Sequence, residues 1–262
     1  MANLVDGMMQ LLMYAYWSDQ SNLQFAFVSD NSIPIKTLDY LHNTLIIQQA
    51  KLKGQQPPTS RFCTVPPQKA NRTWSFLKPY WTTQHPIKAE LWSVLHRSHV
   101  QLLLQNLDTL RKWLHQLQGQ SQRGAPDEIL IPSFLNNQLG PSSLEQCHSV
   151  QNNTSSSWRT CCPHYVLWRD QKTPEPPVLH APQFAKNPCQ KGSPCLYQEL
   201  HSHRLDEIIQ EPNFFFLRKV APTVQLVQTT SEERGKPRQQ YDNRTFASQL
   251  VDRLNSGSWD AS

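Results

Sequence analysis

Two short clusters of ionisable residues could carry chemistry. Asp127 and Glu128 follow Pro126 just past a linker from Gly119 to Gly124, at the start of a predicted helix where a carboxylate can face a cleft and take up a proton. Local sequence also allows a plainer role, because acids in a first turn interact favourably with the helix dipole. Arg218 and Lys219 close the apolar run Phe214-Phe215-Phe216-Leu217, where they could hold a phosphate or stand as ordinary solvated charge. A third group, Cys161-Cys162-Pro163-His164 with Cys189, Cys195, His201 and His203, has ligating atoms without the right spacing. Structural zinc uses cysteines roughly two to four residues apart, so adjacent cysteines fit a disulfide loop better. The chain contains no Gly-rich phosphate loop, no G-x-S-x-G elbow, no H-E-x-x-H and no G-x-G-x-x-G. These absences turn the reading away from P-loop NTPases, lipase-like hydrolases, zincins and nicotinamide dehydrogenases.

Periodicity supplies the elements that must position these groups. Leu4, Met8, Leu11, Leu12 and Ala15 form one apolar stripe and predict a first helix. Gln24-Phe25-Ala26-Phe27-Val28 predicts a strand, ended by Ser29-Asp30-Asn31-Ser32, whose side chains bond back to the backbone. A helix over 38–50 follows Pro34, with Leu38, Leu41, Leu45 and Ile46 facing inward. Residues 51–76 hold Pro57-Pro58, Pro66-Pro67 and Gly54 without periodicity and read as a loop or insertion. Leu91-Trp92-Ser93-Val94-Leu95 predicts a strand, and Ser98-x-x-Gln101 a capping box. From there Val100, Leu103, Leu104, Leu107, Leu110, Leu114 and Leu117 keep one helical face. Residues 140–164 read as Ser-, Asn- and Cys-rich loop. Tyr165-Val166-Leu167-Trp168 and Phe214-Phe215-Phe216-Leu217 predict further strands, with a helical segment near 197–209 between them. The polar stretch past Ser231 reads as a loosely held tail, and no internal repeat is visible.

The chain has 262 residues, 38% hydrophobic and 17% charged, with 20 Pro and 8 Gly, the composition of a globular protein with long loops. Its net charge of +5 is scattered rather than gathered in a stripe, so no nucleic-acid partner is called for. The most apolar stretch, 8–17, falls well short of the roughly 20 residues that span a bilayer. Met1-Ala2-Asn3-Leu4-Val5-Asp6 lacks the basic start and apolar core of a signal peptide. Six cysteines (63, 147, 161, 162, 189 and 195) nevertheless permit three disulfides in any of fifteen connectivities. Glycosylation sequons at Asn71, Asn152, Asn153 and Asn243 lie in polar stretches. Both features point to the secretory pathway, and the expectation that reconciles them is an N-terminus that continues upstream.

The order of the segments resembles that of the core-2/I-branching N-acetylglucosaminyltransferases, in the branch found in plants and algae. Met9-Gln10-Leu11-Leu12-Met13-Tyr14-Ala15 through Asn22-Leu23-Gln24-Phe25-Ala26-Phe27-Val28-Ser29-Asp30-Asn31-Ser32-Ile33-Pro34-Ile35-Lys36-Thr37 is similar to the family's helix, strand and Pro-containing turn. Lys88-Ala89-Glu90-Leu91-Trp92-Ser93-Val94-Leu95-His96-Arg97 resembles its aromatic strand ending in a basic residue. Pro126-Asp127-Glu128 resembles its Pro-Asp-Glu motif, about thirty residues further on. Tyr165-Val166-Leu167-Trp168 and Phe214-Phe215-Phe216-Leu217-Arg218-Lys219-Val220 resemble its last two strands. The resemblance covers residues 4 to 222.

The resemblance implies an α/β fold of the GT-A type, a mixed sheet flanked by helices, binding a nucleotide sugar at the C-terminal ends of its strands. It implies a glycosyltransferase domain over 1–230, with insertions at 51–76 and 170–195 and a polar tail at 231–262. The chemistry it implies is inverting, metal-independent transfer of N-acetylglucosamine from a UDP-sugar to a glycan or glycoprotein hydroxyl. Glu128 matches the general base and Asp127 its neighbour, while Lys219 with Arg218 matches the cations at the diphosphate. No divalent metal or other cofactor is expected, and the chain contains no Asp-x-Asp. Trp92 is the acceptor-stacking candidate, with Trp168 beside it, although a core role is the commoner outcome for such a tryptophan. The family's membrane anchor and uridine-binding βαβ units would lie upstream of Met1, so the expected location is the Golgi lumen, as a type II membrane protein in full-length form. A second diphosphate cation among Lys191, His203 and Arg204 is not assigned. Two other readings stay open: a non-catalytic relative, and a disulfide-rich extracellular binding module.

Overall fold

The computed structural model describes residues 4–47, 59–64, 87–120, 126–140, 144–146, 162–166, 197–233, 236–241 and 244–256. The chain forms two compact units, one of Met1–Phe27, Thr44–Val150 and Cys161–Pro163, the other of Val28–Asn43, Gln151–Thr160 and His164–Ser262. Both mix helices with strands, consistent with the α/β class that the resemblance implies. Among the described residues no helix is long and apolar enough to cross a membrane.

The first unit opens with α1 (Leu4–Ser18), which buries Val5, Met8, Met9 and Leu12 at the spacing of one helical face. The expected stripe is rotated, because Leu4 and Leu11 are exposed. Apolar residues lie almost all round this helix, so periodicity identifies the helix but its packing partners select the buried phase. A four-stranded sheet has the order β1 (Gln24–Ala26), β4 (Val94–His96), β3 (Ser60–Phe62), β5 (Leu144–Gln146). β4 runs antiparallel to both β1 and β3, while β3 and β5 are parallel. β3 falls inside the stretch expected to be a loop or insertion, and β5 inside the expected loop of 140–164. Ser-Arg-Phe is too short to show an alternation, and its strand character comes from the two neighbours it pairs with.

The expected strand over 91–95 begins at Val94, and the capping box gives way to a different cap. His96 Nδ1 accepts from the Ser98 backbone N–H at 3.1 Å, which starts α3 (Arg97–Gln105) ahead of Ser98. The long predicted helix is then two, because Asn106 leaves helical geometry and its side-chain amide donates to the Leu102 carbonyl at 2.8 Å before α4 (Leu107–Gln120) begins. Val100, Leu103, Leu110 and Leu114 keep the predicted face buried. They pack in one core with Met8, Leu12, Phe25, Phe62, Leu95 and the α5 (Leu130–Leu139) residues Ile131, Phe134 and Leu135. Cys63, just after β3, is joined to Cys162 across 99 residues of sequence.

In the second unit β8 (Phe216–Arg218) lies between β2 (Ser32–Pro34), antiparallel, and β6 (His164–Val166), parallel. A further sheet places β9 (Val220–Glu233) between β10 (Lys236–Tyr241) and β7 (Tyr197–His201). The segment expected to be helical near 197–209 is therefore strand first, then α6 (Ser202–Gln210). The helix predicted over 38–50 is α2 (Leu38–His42), capped by Thr37, followed by a π-helical turn, Asn43–Ile47, and Leu38 is exposed instead of inward. Past Ser231 the chain carries β10 and α7 (Phe246–Ser256), which buries Leu250 and holds Asp206 through Arg253 Nε at 2.8 Å, so this stretch is more than a loose tail. Lys36 is buried and donates to the Ile209 carbonyl, at the end of α6 where carbonyls lack helical partners and the dipole favours a cation.

Candidate active site

Glu128 stands on a 3-10 turn, Pro126–Glu128, that leads into α5. Proline presets the first backbone angle of such a turn, so the two acids are presented at a fixed start rather than on a fraying end. Residues 87–90 pass beside this turn and are fixed to their surroundings at each step. Ser133 Oγ accepts from the Ile87 N–H at 2.8 Å and donates to the Ile87 carbonyl at 2.9 Å. The Ala89 N–H donates to the Glu128 carbonyl at 2.8 Å, Ala89 bridges to Thr64, and the Glu90 N–H donates to the Cys63 carbonyl at 2.9 Å.

From that segment Lys88 Nζ reaches Glu128 Oε2 at 2.8 Å, with the side chains 37% and 25% exposed. A pair this open to water contributes about 0.2–1 kcal/mol to stability, so its main consequence is the orientation of the carboxylate. Among the described residues Oε1 has no hydrogen-bond partner. Asp127 is half-buried, and burial pushes its carboxyl above the usual carboxylate range. The Glu128 charge adds to that shift, and Lys88 opposes it.

Arg218 and Lys219 belong to the second unit, at the end of β8. Arg218 Nε donates to Ser29 Oγ at 3.2 Å. Ser29 Oγ lies 2.8 Å from both Asn31 Oδ1 and Ser32 Oγ, and the Val220 N–H donates to the Asn31 carbonyl at 2.9 Å. The Ser-Asp-Asn-Ser turn predicted to end a strand therefore also sets the guanidinium. Burial lowers the Arg218 pKa to about 10, with Asp30 pulling the other way, and the group remains a cation at neutral pH. Lys219 is half-buried, and among the described residues nothing pairs with its ammonium. His164 is buried and stacked on Phe216 with ring centroids 4.7 Å apart. Burial and then the Arg218 charge hold it down to about 3, so it is neutral and does not compete for an anion.

Arg97, the basic residue that ends the resembled aromatic strand, has a structural task. Its guanidinium donates to the carbonyls of Tyr16, Asp19 and Asn22 at 3.0, 3.1 and 3.0 Å and lies 4.0 Å from the Tyr16 ring centroid. It closes the C-terminal end of α1. Trp92 is half-buried on the segment before β4. Asn71, Asn152, Asn153, Asn243, Trp168 and Lys191 lie outside the described residues, while His203 and Arg204 fall in the first turn of α6. Nothing in the sequence singles out Lys88, because forty residues separate it from Glu128 and opposite charge is the only signal. In sequence Ser29 shows only as a turn residue.

The family model for the Core-2/I-Branching enzyme matches residues 1–185, a stretch that contains Lys88, Asp127 and Glu128 and ends before Arg218. Among curated proteins none matches the chain significantly. With the greater part of its length matched by that family model, the chain belongs to the Core-2/I-branching family of glycosyltransferases.

Proposed function

We infer that the protein transfers N-acetylglucosamine from a UDP-sugar to a hydroxyl of a glycan or glycoprotein, with inversion, on a fold of the GT-A type. The observation that carries this reading is the Glu128 carboxylate, with one oxygen held by Lys88 and the other unpartnered among the described residues, inside the stretch matched by the family. A general base needs that combination of fixed orientation and an open oxygen. The acceptor O–H proton passes to Glu128 as the acceptor oxygen forms its bond to the anomeric carbon. The bond from that carbon to the UDP oxygen breaks, and the electron pair leaves with UDP. Negative charge then grows on the diphosphate, and the cations proposed to meet it, on the family resemblance, are Arg218 and Lys219. This is the task that a divalent ion performs in Asp-x-Asp enzymes, and the chain has no Asp-x-Asp. Trp92 is the proposed acceptor-stacking residue. The buried Cys63–Cys162 disulfide supports an oxidising, lumenal location, the Golgi in this reading.

Glu128→Gln keeps the size of the side chain and removes its basicity. The variant should lose at least a hundredfold in transfer from UDP-N-acetylglucosamine to a glycan array while binding UDP as the parent does, and chelator should leave the parent rate unchanged. Transfer at the parent rate by Glu128→Gln would remove the assigned base, and loss of activity in chelator would remove metal independence.

A further inference from the structure

The geometry points to Lys88 as the positioning residue of the base: its ammonium fixes the rotamer of Glu128 so that Oε1 meets the acceptor hydroxyl. This inference rests on the reading of Glu128 as base. Two contacts from adjacent residues converge on Glu128, the Lys88 side chain on Oε2 at 2.8 Å and the Ala89 N–H on the backbone carbonyl at 2.8 Å. Backbone and side chain of the base are thereby referred to the same short segment. That segment is itself anchored by both hydrogen bonds of Ser133 to Ile87, by the bridge between Ala89 and Thr64, and by the Glu90 N–H on the Cys63 carbonyl. Cys63 is in turn tied to Cys162.

A glutamate has three side-chain torsions, and a partly exposed one samples several rotamers unless something holds its head. A small error in the placement of a reacting group costs a large factor in rate. Neither Lys88 nor Glu128 is deeply buried, so the pair adds little to folding stability, and orientation is the effect left to explain it. Lysine also contributes charge. Asp127 and Glu128 are adjacent like charges, and Lys88 opposes the upward shift of Asp127. The same ammonium therefore offsets part of the repulsion between the two carboxylates.

The test uses the full chain with Lys88→Met, which keeps the length and loses the charge, and Lys88→Arg, which keeps the charge. Lys88→Met should lose about tenfold or more in kcat for transfer from UDP-N-acetylglucosamine, with the donor KM, UDP affinity and Tm within error of the parent, and Lys88→Arg should recover most of the loss. A purely structural role would lower Tm, and a donor-binding role would raise the donor KM, so either pattern overturns the inference. Three-bond couplings of the Glu128 side chain, measured by NMR without substrate, give a readout independent of turnover. One rotamer in the parent and in Lys88→Arg, with averaging in Lys88→Met, is expected, and averaging already present in the parent overturns it. If Glu128→Gln is inactive while Lys88→Met is fully active, Lys88 alone loses its role. If Glu128→Gln is active, the base assignment fails first.

Discussion

Cys63 and Cys162 are covalently joined across 99 residues of sequence, and both are essentially buried. The disulfide ties the residue after β3 to Cys162, and a separate hydrogen bond from the Glu90 N–H to the Cys63 carbonyl at 2.9 Å ties the same residue to the segment that carries Lys88.

A cross-link closing a loop of this length restricts the unfolded chain by about 4–5 kcal/mol in the chain-entropy account. Cys63→Ala should therefore lower stability by several kcal/mol and remove the response of Tm to reductant contributed by this pair. Guanidinium denaturation of the parent and the variant, with and without dithiothreitol, checks it. Equal midpoints would contradict a structural disulfide here.

Asp127 is held above the usual carboxylate range by burial, so the folded state binds its proton more tightly than the unfolded state does. Between about pH 4, where an unfolded aspartate ionises, and the raised folded value, stability falls as pH rises, and above that window the loss is constant. Asp127→Asn should match the parent near pH 3 and exceed it at pH 7. A variant less stable than the parent at pH 7 would mean that the first-turn charge is favourable after all.

Lys36 shows the opposite sign at the other end of the scale. Burial holds it down to about 8, with Glu211 opposing, whereas an unfolded lysine keeps its proton to about 10.4. Across that interval the unfolded chain binds more protons, so this residue makes stability rise with pH from about 8 to 10.4. Lys36→Met should flatten that part of the stability profile, and an unchanged slope would assign it to other groups.

Arg218 stays charged until about pH 10 and is set by Ser29. Charge-assisted contacts to a diphosphate are among the stronger hydrogen bonds, so Arg218→Ala should weaken UDP binding tenfold or more, and Ser29→Ala should weaken it less. Isothermal titration between pH 6 and 9 should find the parent affinity flat with respect to this group. UDP affinity unaffected by Arg218→Ala would leave Lys219 as the only diphosphate cation from this pair.

Much of the local structure was legible because it is written in short-range chemistry. The first helix, the strand around Phe25, and the buried face through Val100, Leu103, Leu110 and Leu114 follow from periodicity and breakers, whereas the helix predicted to open at Pro126-Asp127-Glu128 begins at Leu130, after a 3-10 turn. The acid pair and the basic pair stand out in the sequence, each open to two readings. What sequence could not supply has a common cause. β3 has three residues and no period, and it is a strand because β4 and β5 flank it. The buried phase of α1 depends on its neighbours, since apolar residues surround the helix. Arg97 closes α1 because three carbonyls, from residues 16, 19 and 22, converge on its guanidinium. Only tertiary structure selects one of the five other cysteines as the partner of Cys63, or brings Lys88 within 2.8 Å of a carboxylate forty residues away. Hydrogen bonds and periodic faces act over a few residues and leave a trace in the order of the amino acids. Contacts between distant segments depend on how the whole chain packs, and a single residue's type carries no record of which partner it will meet.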